Sequence, residues 1–171
     1  MTKPTIRPAT HADCEFLAVF ATESFVDTFG HLYEPEQLEA HLNVFFTPRY
    51  FLESLEKGDT ILLLQHGPQL IAYGKFGKLA IPAPNPPAGA MEIHRIYIHR
   101  DFQRHGYGKM MLMHMLGLPQ VSTAPAVYLG VWEGNASAQA LYQSHMFQPV
   151  GHYFYYVGNH ADREVIMLLK K

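Results

Sequence analysis

Gln103-Arg104-His105-Gly106-Tyr107-Gly108 follows an apolar run at residues 93–98 and precedes a methionine-rich stretch at residues 109–116. This order predicts a strand, a glycine loop and a helix. Glycines in a turn that opens a helix let backbone N–H groups point into one concavity, where the positive end of the helix dipole also lies. The loop therefore predicts a phosphate-binding site.

The residues of this stretch exclude two common phosphate loops. A mononucleotide P-loop needs Gly-Lys-Ser/Thr so that a hydroxyl can hold magnesium, but Gly108-Lys109 is followed by Met110. A dinucleotide fingerprint needs three glycines over six positions, and this loop has two. What remains is a loop for a pyrophosphate held mainly by backbone amides, to which Gln103, Arg104 and Lys109 can add polar or cationic contacts.

The composition predicts one globular domain over residues 1–171. Hydrophobic residues make up 48% of the chain and charged residues 16%, which is typical of a folded protein. The 13 basic and 15 acidic residues give a formal net charge of −2, so we expect no nucleic-acid partner. A single cysteine, Cys14, and the lack of a long apolar segment predict a cytoplasmic protein without a membrane partner. None of the 11 histidines forms an HExxH pair, so we expect no metal.

Hydrophobic periodicity predicts the order of helices and strands. A first helix should end at Phe29-Gly30, where Gly30 is expected to supply a left-handed stop. A second helix is expected from Pro35, and Pro82, Pro84, Pro86 and Pro87 predict an exposed, stiff loop over residues 81–90. The remaining predictions are a short turn at 50–57, a hairpin of strands 60–65 and 70–76, strands 91–98, 127–132, 147–157 and 164–169, and helices 106–117 and 135–145. This order indicates an α/β fold with a mixed sheet.

Two motifs in sequence order resemble those of the GCN5-related N-acetyltransferases, the GNAT family. Residues 103–108 match the signature Gln/Arg-x-x-Gly-x-Gly/Ala, and Ile96-Tyr97-Ile98 precedes it as in that family. Residues 135–147, from Asn135-Ala136-Ser137-Ala138 through Leu141-Tyr142 to Met146-Phe147, resemble the family's next helix and following strand. The resemblance, from residue 5 to 169, implies a mixed, mostly antiparallel sheet of about seven strands flanked by four helices. It also implies a sheet splayed between its fourth and fifth strands, with acetyl-CoA as co-substrate in the gap.

A second, narrower likeness concerns the acceptor, the molecule that would receive the acetyl group. Residues 23–29, 92–98 and 129–133, together with Phe154-Tyr155, are similar to bacterial spermidine/spermine acetyltransferases of the Pai type. This sequence differs from the Pai type at residues 81–90, which are unusually rich in proline. Loops on the acceptor side determine which substrate is bound. It implies an acceptor groove near the first helix, with an amine bound by the carboxylates of Glu23, Asp27, Glu34 and Glu92. Ordinary solvated acids are the alternative reading of the first three.

The GNAT resemblance also implies a set of cofactor-binding residues. Backbone groups of Ile96 and Ile98 would hold the pantetheine arm, and the Ile98 N–H would meet the thioester oxygen. Both residues are equally predicted to be core strand residues, and Tyr97 alternates to the opposite face. Asn135 is expected to cap the helix it precedes and to contact the cofactor. The full set is Ile96, Tyr97, Ile98, Gln103, Arg104, His105, Gly106, Tyr107, Gly108, Lys109, Asn135, Ala138 and Tyr142.

Acetyl transfer to an amine needs a proton acceptor for the ammonium, a site for the oxyanion and a proton for the departing thiolate. The resemblance implies Tyr142 as general acid, since a phenol of pKa about 10 can donate to a thiolate of pKa about 8.5. Packing against Phe147 and Met146 is the alternative role of Tyr142. Glu92 could take the ammonium proton directly or through water, or be a solvated strand-end acid, and His94 could serve instead.

The sequence therefore predicts a cytoplasmic acetyltransferase that modifies a primary amine of a small molecule, with a polyamine as the first acceptor to test. Two alternatives stay open: a GNAT enzyme for an amino acid, antibiotic or protein amine, and a non-catalytic acyl-CoA-binding module. The aromatic segment Tyr153 to Tyr156 could supply the face of a homodimer or could belong to the core.

Overall fold

One seven-stranded sheet forms the centre of the molecule, which the computed structural model describes over residues 3–170. Its strands follow the order β1-β2-β3-β4-β5-β7-β6. Only β4 and β5 run parallel, and every other neighbouring pair in this described part of the chain is antiparallel. The strands are β1 (Thr5–Pro8), β2 (Thr60–His66), β3 (Gln69–Lys78), β4 (Met91–Ile98), β5 (Ala126–Trp132), β6 (Gln148–Val157) and β7 (His160–Lys170).

Helices cover both faces of the sheet. They are α1 (Cys14–Phe29), α2 (Pro35–Phe45), α3 (Pro48–Glu56), α4 (Tyr107–Gly117), the single turn α5 (Pro119–Ser122) and α6 (Ala136–Ser144). The mixed, mostly antiparallel sheet confirms the predicted fold class. No helix within residues 3–170 is long and apolar enough to cross a membrane.

The sheet opens between β4 and β5. These strands pair only where residues 91–93 face residues 127–129, near the start of both. Beyond that point β4 continues on β3 alone and β5 on β7 alone, as far as Ile98 and Trp132. The separation confirms the predicted splay, and it leaves one backbone edge of each strand facing a gap.

Alternate residues of the strands build a core on each face of the sheet. The core beneath α4 and α6 contains Phe76, Ile93, Met111 and Leu129, with less than 4% of each exposed. The core beneath α1 and α3 contains Leu17, Phe51, Leu63 and Tyr73, all with no exposed surface. Because each core fixes its own helices, the gap between β4 and β5 is walled by different helices on its two faces.

Two local predictions were wrong. Gly30 has a right-handed φ of −54°, and the chain continues from it as a 3-10 turn. A Cβ there would lie 3.1 Å from Val26 Cγ1, so the glycine serves close packing and not a left-handed stop. The turn expected at residues 50–57 is the full helix α3, because Pro48 takes its first position and the Thr47 side chain accepts the Tyr50 N–H.

Candidate active site

A cavity of about 660 Å³ occupies the gap between β4 and β5. This volume is within the usual range of small-molecule sites. Its lining joins the glycine loop and α6 to side chains from β6 and β7 across the gap. One continuous space therefore connects the predicted phosphate loop to the opposite face of the sheet.

The glycine loop forms one end of this cavity. Gly106 caps α4 in a left-handed conformation with φ of +83°, and a Cβ there would meet no atom within 4 Å. Arg104 also has a positive φ of 63°, which an L side chain adopts at a cost. The Gln103 amide donates to the Ile98 carbonyl at 3.2 Å and ties the loop to the end of β4.

The loop residues divide between the cavity and the outer surface. Gln103, Arg104, Gly106, Gly108 and Lys109 line the cavity, whereas His105 and Tyr107 do not. The His105 and Tyr107 rings stack on each other with centroids 6.2 Å apart. Within residues 3–170 neither Arg104 nor Lys109 forms an ion pair with a carboxylate. Two uncommitted cations thus stand beside the N-terminus of α4, where an anion is favoured.

The side walls next to this end come from β4 and α6. Ile96 and Ile98 line the cavity and also pack against the core beneath α4 and α6, so the strand and core roles coincide. Asn135 Oδ1 accepts the Ala138 N–H at 3.1 Å, which confirms the predicted cap of α6. Asn135 and Ala138 both line the cavity.

Tyr142 lies on α6, buried, with its side chain in the cavity wall. Its ring centroid is 5.9 Å from that of Phe147, so the predicted packing contact exists beside the exposure to the cavity. Burial, reinforced by the charge of Glu164, raises the pKa of Tyr142 to about 12. The phenol therefore stays protonated at neutral pH.

Glu92 and His94 line the cavity from β4, but both are committed to nearby backbone. Glu92 Oε2 accepts the N–H groups of Ala80 and Ile81 at 2.7 and 3.0 Å. His94 Nε2 lies 3.0 Å from the Lys78 carbonyl oxygen and 4.0 Å from Glu92 Oε2. These contacts fix the start of the proline loop, which is irregular as predicted.

A sequence model of the acetyltransferase (GNAT) family matches residues 20–147, which include the loop, β4 and α6. This chain belongs to the GNAT family of acetyltransferases. An N-acetyltransferase from the pepI 3′ region of Lactobacillus delbrueckii subsp. lactis is 27% identical over 158 residues, covering 92% of this chain and 90% of that protein.

Solved structures share the fold of this GNAT chain. The PaiA N-acetyltransferase of Thermoplasma acidophilum, solved in complex with coenzyme A, superposes with a TM-score of 0.78 at 19% identity over 99% of this chain and all of that one. The ribosomal-protein-S18-alanine N-acetyltransferase of Escherichia coli gives a TM-score of 0.70 at 18% identity, over 98% of this chain and 94% of that one. At these identities the likeness establishes the fold alone.

Three acids predicted for the acceptor groove of the GNAT chain lie elsewhere. Glu23, Asp27 and Glu34 are exposed and do not line the cavity. Asp27 Oδ1 instead faces Arg100 Nη1 at 3.5 Å. Their positions on α1 and its exit point outward because the apolar side of α1 is the one that packs on the sheet.

The carboxylates that do line the far half of the cavity are Asp162 and Glu164 on β7, which sequence analysis missed. Two residues apart on a strand, they share one face. Asp162 Oδ2 accepts the Tyr33 hydroxyl at 2.5 Å, and its Oδ1 lies 3.1 Å from His160 Nε2. Burial, reinforced by the charge of Asp162, raises the pKa of Glu164 to about 7. The spacing of the two acids indicates that they share one face of a strand. Only the order of strands in the sheet shows that this face of β7 meets the gap.

A half-buried cation, Arg95, also lines this half. Its guanidinium lies 4.5 Å from the Phe46 ring centroid and 5.1 Å from that of Tyr50, and its Nη1 donates to the Phe45 carbonyl at 3.3 Å. It forms no ion pair with any carboxylate in residues 3–170. Some of the five N–H donors of the guanidinium therefore face the cavity, with no carboxylate paired to them.

Aromatic residues complete the lining of this far half. Tyr153 and Tyr155 of β6 line it, while Phe154 and Tyr156 between and beyond them are 51% and 62% exposed on the other face. Successive residues of this segment therefore point in turn to the cavity and to the outer surface.

Across residues 3–170 no group of three or more His, Cys, Asp or Glu side chains is arranged to hold a metal ion.

Proposed function

We propose that this GNAT chain binds acetyl-CoA in the gap between β4 and β5 and transfers the acetyl group to a primary amine of a small molecule. The observation that carries the proposal is the single cavity, which joins a cationic glycine loop on one face of the sheet to two carboxylates on the other. Donor and acceptor can therefore enter from opposite faces and meet between the strands.

The donor end fits an acyl-CoA by its own chemistry. The N-terminus of α4, with Arg104 and Lys109 beside it, suits a pyrophosphate, and the open left-handed turn at Gly106 lets backbone approach it. The free edge of β4 beyond Ile93 offers amide hydrogen bonds to a pantetheine arm. We assign the thioester oxygen to the Ile98 N–H at this edge.

Tyr142 is the proposed partner of the departing thiolate. Because its pKa is about 12, full proton transfer from Tyr142 to a thiolate whose thiol has a pKa of about 8.5 is uphill by about 5 kcal/mol. The same transfer from an ordinary phenol of pKa about 10 is less uphill. Its contribution is therefore a hydrogen bond that stabilises the developing thiolate, while the proton itself can come from the attacking amine. Loss of the hydroxyl should slow the reaction without abolishing it.

A polyamine is the acceptor class that the two carboxylates favour. Asp162 and Glu164 supply negative charge, and the rings of Phe29, Tyr33 and Trp132 line the same space. Carboxylates and aromatic faces together attract ammonium groups. This composition supports the Pai-type likeness of the sequence.

Arg95 favours a second acceptor class, an amine that also carries a carboxylate. An arginine stacked on aromatic rings and lacking an acidic partner is suited to a bidentate contact with such a group. Amino acids carry both charges, whereas polyamines carry only the positive ones.

A turnover panel tests the function and separates these classes. The protein is incubated with acetyl-CoA and spermidine, putrescine, amino acids or amino-acid amides, and release of CoA thiol is followed. Turnover with at least one primary amine is expected, and Arg95→Gln should raise KM for amino acids while leaving KM for spermidine unchanged. Binding of CoA without turnover on any amine, including protein N-termini, would instead identify a non-catalytic acyl-CoA-binding module.

Compartment and assembly belong to the same proposal. The one cysteine, Cys14, is buried and free, which suits a reducing cytoplasm. The exposed side chains of Phe154 and Tyr156 on the outermost strand β6 support a homodimer.

A further inference from the structure

We infer that Glu164 takes the proton from the acceptor's ammonium group, and that Glu92 acts by holding the proline loop. The inference rests on the proposed function and assigns one step of it to a residue. It also replaces the sequence-based assignment of this step to Glu92.

The position of Glu164 in the sheet is the first observation. It pairs with Trp132, the last residue of β5, and with Tyr153 on the other side. Trp132 lies beyond the point where β4 leaves β5, at the open end of the gap. Glu164 therefore stands one strand away from the place where the two substrates must meet, and its side chain reaches the cavity.

The partners of the two glutamates are the second observation. The side chain of Glu92 is 8% exposed, and one carboxylate oxygen is held by two backbone N–H groups. Glu164 is half-buried, and within residues 3–170 its carboxylate has neither a hydrogen bond nor an ion pair. A half-buried carboxylate without a partner is costly unless a ligand supplies one.

The surroundings of Glu164 favour a proton acceptor that works near neutral pH. Burial first, and the charge of Asp162 second, raise its pKa to about 7. Compared with an ordinary glutamate of pKa near 4.5, this makes proton transfer from an ammonium easier by a factor of about 300. The titratable groups facing it are Asp162 of its own strand, Tyr153 and Tyr155 of β6, Tyr142 of α6, Tyr97 of β4 and Tyr33. All five tyrosines have raised pKa values and are neutral near pH 7, so Asp162 is the charged group that acts on the pKa of Glu164, while Arg95 lines the same half of the cavity.

The ammonium R–NH3⁺ gives one proton to Glu164, directly or through one water, and becomes a neutral amine. The nitrogen lone pair then forms the new C–N bond at the thioester carbonyl, and the C–S bond breaks. The second nitrogen proton passes to the thiolate with the hydrogen bond of Tyr142 in place, which yields the amide and CoA-SH. Glu164 returns its proton to solvent for the next turnover.

The test compares Glu164→Gln with Glu92→Gln in the whole protein. For the wild type, log kcat/KM should rise with pH and bend near pH 7, after allowance for the titration of the amine itself. Glu164→Gln should lose this bend and at least 100-fold of kcat at pH 7.5, with CoA affinity within twofold of wild type. Glu92→Gln should keep the bend and lower the melting temperature. A bend retained in Glu164→Gln, or lost in Glu92→Gln, would overturn the inference.

Two further measurements separate a failure of the Glu164 role from a failure of the proposed function. Glu164→Asp, which retains the carboxylate, should recover at least tenfold of the kcat lost in Glu164→Gln, and equal rates would count against the role. A carbon-13 NMR titration of the Glu164 carboxyl needs no acceptor, and a value below pH 5.5 would overturn the inference even if acetyl transfer is found. Failure of the wild type on every amine would refute the proposed function instead, whatever the carboxyl titration gives.

Discussion

The raised pKa of Glu164 suits the proposed proton acceptor but lowers the stability of the folded protein at neutral pH. Its pKa of about 7 in the folded protein exceeds the value near 4.5 of an unfolded glutamate. The folded state therefore binds more protons than the unfolded state between these values, and stability falls as pH rises from 4.5 to 7. Above pH 7 the loss is complete, and it amounts to about 1 to 3 kcal/mol after allowance for partial solvent screening.

Replacing Glu164 by Gln should therefore stabilise the unliganded protein at alkaline pH while impairing it as an enzyme. We expect the free energy of unfolding of Glu164→Gln to exceed that of the wild type at pH 8, with the difference vanishing at pH 4.5. Urea denaturation at the two pH values measures this. Glu56→Gln, at an exposed position on α3, is the matched control and should show no such difference. A Glu164→Gln protein less stable than the wild type at pH 8 would show that the carboxylate is not strained.

Gly106 is the residue where backbone conformation and ligand contact coincide. At its φ of +83° a valine would cost about 1 to 2 kcal/mol, and its side chain would stand in the concavity beside α4. We expect Gly106→Val to weaken CoA binding at least 100-fold, measured by calorimetry. Gly108 differs from Gly106, because its backbone is helical and a Cβ there would lie at ordinary contact distance, 3.5 Å, from Leu141 Cδ2. Gly108→Ala should thus fold normally and lose less affinity than Gly106→Ala, and the reverse order would contradict this account of the loop.

At the scale of elements, α6 carries a cap whose two roles can be separated. Asn135 accepts the Ala138 N–H and also lines the cavity. Asn135→Ala should cost about 1 kcal/mol of stability through loss of the cap. Asn135→Asp should keep the cap and the melting temperature, yet weaken CoA binding, because it adds a negative charge near the phosphate end. Thermal denaturation and calorimetry on the two variants check both parts, and equal CoA affinity of wild type and Asn135→Asp would remove Asn135 from the binding site.

Elements with a strong local signal were predictable from the sequence, and contacts between distant elements were not. The strand, glycine loop and helix around Gly106 follow from local pattern, and so does the cap at Asn135. The role of Glu164 depends on β7 inserting between β5 and β6, which brings it beside Trp132 of β5. Nothing in the local sequence of either strand encodes that order. The backbone partners of Glu92 lie beyond the local pattern too, since Ala80 and Ile81 precede it by 12 and 11 residues, on the far side of the loop between β3 and β4.

At the scale of the whole molecule, the sheet ends on one side at β6, whose residues alternate between two functions. Tyr153 and Tyr155 line the cavity, whereas Phe154 and Tyr156 expose large apolar surfaces from the edge strand. An edge strand with exposed aromatic side chains favours association unless it is covered. We expect a homodimer through this face, which would place the acceptor halves of two sites near the shared edge.

The dimer can be tested without altering the cavity lining. Phe154→Lys with Tyr156→Lys changes only side chains on the outer face of β6, and lysines on an edge strand oppose strand pairing and apolar contact. Sedimentation velocity should give a dimer for the wild type and a monomer for the double variant, with CoA affinity unchanged. Val19→Lys, at a position 59% exposed on α1, is the control and should remain dimeric. A monomeric wild type would leave Phe154 and Tyr156 as surface residues, and a dimeric double variant would move the interface to another face. If the double variant is monomeric and still turns over amines at the wild-type rate, each cavity is complete within one chain.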